Sequence, residues 1–147
     1  MAHVRQTIRE QIASTLISNV SLVASRVFTT RVYPLTQPQL PAITVYAGSE
    51  SSNLMTMGLK TLNRVVNVNV DIYENATADL DDNIDAISVQ VEESLANNFT
   101  LGGNAKDIVL ISTDIDYSGD TEQPVGIARL TFAVNYITAI NDVETAR

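Results

Sequence analysis

Cysteine is absent from all 147 residues, and a single histidine, His3, stands near the start. Without thiols there is no disulfide framework, no zinc–thiolate or iron–sulfur site, and no cysteine nucleophile. The chain holds neither a GxSxG elbow nor a GxxxxGK[ST] or GxGxxG phosphate loop, so the common nucleophilic and nucleotide-binding machineries lack their parts. The lone His3 reads as a solvated side chain. Long apolar runs are missing too. The longest aliphatic stretch, Ile108 to Ile111, is far short of the ~20 residues of a membrane-spanning helix. The opening MAHVRQTIREQ carries Arg5, Arg9 and Glu10 where a secretory signal needs an apolar core, and the expectation is a soluble, non-secreted domain.

Basic residues are also scarce. Nine Lys and Arg face seventeen Asp and Glu, for a net charge of −8. The imbalance is uneven along the chain. Residues 1–70 hold six basic residues against two carboxylates (net +4), and residues 71–147 hold three against fifteen (net −12). With no basic run or basic–aromatic cluster, binding of nucleic acid through phosphate neutralisation is not expected. Two readings of the asymmetry remain. The acidic half is a solvated surface that maintains solubility, or the basic half of one copy meets the acidic half of the next, a heterologous contact that can close into a ring.

What is present is hydrophobic patterning sufficient for one domain of this length. Val4, Ile8, Ile12 and Leu16 step by four, widened by Ala13, Ile17 and Val20, which predicts an amphipathic helix of four to five turns. Arg31-Val32-Tyr33 is a short β-prone piece stopped by Pro34, and Pro34, Pro38 and Pro41 make the following segment an extended loop. Residues 42–47 form the next strand candidate. Val66, Val68, Val70 and Ile72 then alternate with Asn67, Asn69, Asp71 and Tyr73, a strict period of two over 62–73. Between these strands, residues 48–59 read as a long polar hairpin loop. Its Met55 and Met57, with Glu50, Lys60 and Arg64 beside them, form a candidate protein-contact surface.

A second helix is predicted over 79–95, with an apolar stripe at Leu80, Ile84, Ile87, Val91 and Leu95. Thr77 or Asp79 can cap it. Asp81, Asp82 and Asp85 lie toward the positive end of its dipole, which suits solvated carboxylates better than an acid–base pair. Two strands follow, at 108–117 and 126–137. The fold class is therefore α+β: a single domain with a mainly antiparallel or mixed sheet, two amphipathic helices on one face, and the order α-β-β-β-α-β-β. Its ordered core is expected over about 4–138, and a polar tail, 139–147, is expected to fray. In the turn between the last strands, Asp114, Asp116, Asp120 and Glu122 imitate the start of a calcium-binding EF-hand loop. Position 12 of that loop is Val125 instead of a bidentate Glu, so a plain acidic turn is the better reading.

Several local patterns together resemble the tail terminator proteins of long-tailed bacteriophages, the lambda-like minor tail protein U family. They are the opening helix, RVYPL leading to LPAITVYAGSES, then VVNVNVDIYENA running into ADLDDNIDAISVQVEESL. The close, ISTDIDYSGDTEQPVGIARLTFAVNYIT, completes them. The resemblance implies a virion protein with no enzymatic activity and no cofactor. It implies a self-assembled ring, a hexamer in that family, on the head-proximal end of the tail tube. There it ends polymerisation of the tube protein and offers a surface to a head-completion or connector protein; assembly takes place in the host cytoplasm. DNA passes such a ring without specific binding, and no membrane is involved. Carboxylates along the lumen would repel phosphate, which makes Asp79, Asp81, Asp82 and Asp85 candidates for a lumen or subunit-interface face. Alternatives are a tail-completion or head–tail connector protein of related fold, and a small acidic adaptor or calcium-binding domain.

Overall fold

The computed structural model describes residues 2–23, 26–29, 41–56, 60–75, 79–118 and 125–147. Helix α1 (Val4–Asn19) leads through a 3-10 turn at Ser21–Val23 to β1 (Val27–Phe28). A long ribbon follows, β2 (Ala42–Thr56) and β3 (Thr61–Asn75), then helix α2 (Leu80–Asn97). After a second 3-10 turn at Leu101–Gly103 come β4 (Asp107–Ser118), β5 (Val125–Ala139) and β6 (Asp142–Ala146). The sheet runs β1-β2-β3-β5-β4, with β6 on β5 beyond the start of β4. Among the described residues only β1 and β2 pair in parallel, so the sheet is mixed, as the class predicted, and it is curled.

One sheet face carries the core. Ile43 and Val45 of β2, Val66 to Ile72 at alternate positions of β3, and Ala128, Leu130, Phe132, Val134 and Tyr136 of β5 are all buried. Both helices lie on that face: α1 places Val4, Ile8, Ile12 and Leu16 there, and α2 places Ile84, Ile87, Val91 and Leu95. At about 1.5–3 kcal/mol for each buried aliphatic side chain as an upper estimate, the four α2 residues suffice to pin that helix to the sheet. Its approach is close. A Cβ on Gly126 of β5 would stand 2.7 Å from the Leu80 side chain, so glycine is what lets the first turn of α2 reach the sheet.

Three expectations change. The segment 48–59 is no loop as far as Thr56: it continues β2, with bulges between Ala47 and Glu50 and between Leu54 and Thr56. Polar side chains conceal a strand when both faces are wet, because the alternation of apolar and polar residues disappears. The tail also folds, since β6 pairs with Thr138 and Ala139. Residues 31–33, expected as a short strand, lie outside the described residues, as does Thr77; the strand described before β2 is Val27–Phe28. Lastly, Ile17 falls off the buried stripe of α1 and is exposed.

Candidate functional site

His3 is not simply solvated. Its Nδ1 accepts the Arg5 backbone N–H at 3.0 Å and so caps α1, satisfying one of the orphan donors of the first turn. Burial, then the Arg5 and Arg64 charges, hold its pKa below the ordinary value.

Glu50 and Arg64, two of the predicted contact residues, meet inside the molecule. In the register of the sheet both fall in the phase of Val66 and Tyr136, toward the helices. Arg5 reaches from α1 and donates to the Glu50 carboxylate, and the Tyr136 hydroxyl donates to its other oxygen. Arg64 Nη1 lies 3.6 Å from Glu50, and its Nε donates to Thr138 Oγ1 at 3.0 Å. With Glu50 and Arg64 side chains only 13% and 11% exposed, the charges are compensated by one another and by hydrogen bonds, as buried charges must be. Burial and then the bond to Glu50 push the Tyr136 phenol up to about 12. It therefore stays a proton donor at neutral pH. The sequence signal for this cluster was legible: Arg64 sits in the apolar phase of an otherwise valine-lined strand.

A second network lies on the opposite face. Asp71, 1% exposed, accepts from Tyr46 OH at 2.8 Å and from Arg129 Nε at 2.9 Å and Nη2 at 3.2 Å. Burial, followed by the bond to Asp71, pushes the Tyr46 phenol up to about 12 as well, and the same carboxylate raises the pKa of Arg129. Both phenols are structural donors holding carboxylates in place; neither is poised as a base. Sequence reasoning missed this network because its members come from three strands.

The remaining candidates are on the surface. Asp79, Asp81, Asp82 and Asp85 are exposed at the start of α2, and Asp79 holds the cap position without a side-chain capping bond. Asp114 and Asp116 are exposed on β4, with Asp114 opposite Arg129; Asp120 and Glu122 lie outside the described residues. Among the described residues no three His, Asp or Glu side chains are grouped to hold a metal ion. Among the described residues no helix is long and apolar enough to cross a membrane.

The end of the β2–β3 ribbon exposes Leu54 and Met55, and Lys60 stands at its turn with φ of 50°; Met57 lies outside the described residues. Among the clefts that the described residues form on the helical side are two of contrasting lining. One of about 530 Å³ runs between α1 and α2 and is lined by hydroxyls and amides, among them Ser14, Ser18, Asn19, Gln90 and Asn97. The other, of about 280 Å³, lies between α2 and β4 over Leu95, Ile108, Leu110 and Phe132, with Glu92 and Glu93 beside it. Strand β4 itself bares Val109, Ile111 and Ile115.

No curated protein matches this sequence. A chain in the solved virion of a native gene transfer agent particle has the same fold, with a TM-score of 0.58 at 12% identity over 90% of this chain and 93% of that one. Residues 3–136 match the family described as phage minor tail protein U. Since that match spans most of the chain, the protein belongs to the phage minor tail protein U family, structural components of the phage tail and hence of the virion.

Proposed function

We propose that the protein is a tail terminator: a ring of identical copies that caps the head-proximal end of the tail tube, stops addition of tube subunits and offers a joining surface to the head. The observation that carries this reading is the family match over residues 3–136. Three features of the fold support it. The domain is small and built on one contiguous hydrophobic core. Its ionisable side chains with the most specific partners, Glu50, Asp71, Tyr46 and Tyr136, serve internal packing instead of a reaction centre. Five exposed apolar residues, Val109, Ile111 and Ile115 on β4 and Leu54 and Met55 at the end of the ribbon, lie where a subunit contact would cover them.

In this reading the protein has no enzymatic role, and its partners are further copies of itself, the tail tube protein and a head-completion protein. The exposed carboxylates Asp79, Asp81, Asp82 and Asp85 face the DNA passage or a subunit junction, where they repel phosphate or meet a basic neighbour. A connector protein of related fold would bind the head-closure ring and leave tube ends bare. Negative-stain microscopy of the purified protein, alone and mixed with tail tubes, separates the two. Rings that cap one end of each tube are the expected result, and particles that never form rings or decorate tubes would refute the terminator reading.

A further inference from the structure

The cleft between α2 and β4 and the end of the β2–β3 ribbon are complementary, but they lie on opposite edges of the sheet. The cleft has an apolar floor of Leu95, Ile108, Leu110 and Phe132, and the carboxylates of Glu92 and Glu93 are exposed at its side. The ribbon end presents Leu54, 52% exposed, in the helix-facing phase set by its partner Leu62 and by buried Thr138 beyond it. Between Ser51 and Asn63 the only charged residue is Lys60, exposed at the turn. An apolar side chain followed by a cation is the chemistry that an apolar cleft rimmed by two glutamates would take.

We infer that the ribbon end of one copy docks on the β4 edge of the next, with Leu54 in the α2–β4 cleft and Lys60 against Glu92 and Glu93. This inference rests on the ring reading above and names its subunit contact. A chain cannot serve itself. Strands β2 and β4 are separated by three strand spacings, about 14 Å. Leu54 also stands four residues beyond Glu50, the β2 residue level with Ile108.

A second copy meets the geometry. Each neighbouring pair from β2 through β3 and β5 to β4 is antiparallel, so β2 and β4 run in opposite senses. Copies related by a rotation along the strand direction therefore bring β2 to β4 as an antiparallel pair, with the helix-facing side preserved. That directs Leu54 toward the neighbour's α2. The four-residue offset is of the kind that strand tilt against a ring axis supplies. Among the described residues β4 pairs only with β5, and a twelve-residue edge baring Val109, Ile111 and Ile115 is one that natural proteins normally cover. Because donor and acceptor are different surfaces, the contact repeats head to tail instead of ending at a dimer.

The test uses full-length chains and reads assembly by sedimentation velocity and native mass spectrometry. Leu54→Asp disables the donor only, and Glu92→Lys/Glu93→Lys the acceptor only. All three positions are exposed, so circular dichroism and melting should match the unaltered protein. Each variant alone is expected to need a roughly ten- to hundredfold higher concentration to assemble. Mixed together, the two variants should form a 1:1 pair and nothing longer, because one complementary contact survives. The cysteine-free background allows a second measurement. Leu54→Cys/Ala96→Cys should give an intermolecular disulfide ladder on oxidation, whereas either cysteine alone should not. Rings that persist in Leu54→Asp, or a double-cysteine chain that stays uncross-linked within visible rings, would overturn this contact and leave the ring reading intact. An unaltered protein that never assembles, alone or on tubes, would remove the ring reading and this contact with it.

Discussion

Glu50→Ala tests how the sheet is held at the ribbon end. The carboxylate accepts from Arg5 and from Tyr136 OH and lies 3.6 Å from Arg64, so its removal strands the guanidinium of Arg64 and a buried hydroxyl together. Breaking one side of a buried pair costs about 3–5 kcal/mol; partial access of water to Arg5, whose side chain is 37% exposed, lowers the expectation here to about 2–4 kcal/mol. For a chain of this length that corresponds to a fall in melting temperature of roughly 5–15 °C. Urea denaturation followed by circular dichroism gives the free energy, and a double-mutant cycle with Arg64→Ala isolates the coupling. The double variant should cost at least about 1 kcal/mol less than the sum of the single ones. Tyr136→Phe removes one hydroxyl, leaves the charges matched and should cost only about 1 kcal/mol. Strict additivity of Glu50→Ala and Arg64→Ala, or a Glu50→Ala cost under about 0.5 kcal/mol, would refute the claim that these residues form one buried unit.

Three further outcomes follow from the same geometry. His3→Ala should cost about 0.5–1 kcal/mol at pH 8 through loss of the α1 cap. Because the folded-state pKa of His3 is depressed, that contribution is fully present above its unfolded value near 6.5 and lost as pH falls through the lower folded value; an equal cost at pH 8 and pH 4 would contradict it. Gly126→Ala should destabilise by about 1–3 kcal/mol, since the new Cβ meets the Leu80 side chain at 2.7 Å; Leu80→Ala in the same chain should recover part of the loss in chemical denaturation. Asp79→Lys/Asp81→Lys/Asp82→Lys should leave the fold intact, at a cost of about 0.3–1 kcal/mol per reversed charge in the first turn of α2, yet sharply lower phage infectivity. Plaque counts at the unaltered level would mean that these carboxylates face neither DNA nor a subunit.

Local periodicity was enough to read α1, α2, β3 and β5. Their buried residues repeat at the spacing of one face, and burial of that face dominates their energetics. The same logic failed at residues 48–56 and 142–146. There both faces of the strand are wet or shallowly covered, and a polar stretch of β2 carries no more signal than a loop. The order of the central strands, with β5 inserted between β3 and β4, was beyond reach for a related reason. A strand's own sequence records which face is buried but not which neighbour supplies its hydrogen bonds.

The candidate surfaces divide along the same line. Net acidity, the absence of thiols and the carboxylates at the start of α2 are properties of the chain, and no folding step alters them. The inward phase of Arg64 is written in its strand, but tertiary structure alone decided that Glu50 meets it beside Tyr136 and that Asp71 gathers Tyr46 and Arg129. It alone left Leu54 and the α2–β4 cleft on opposite edges. Charge and composition sum over residues one at a time, whereas a partner is set by distances between residues remote in the chain, and those exist only once the sheet has closed its register.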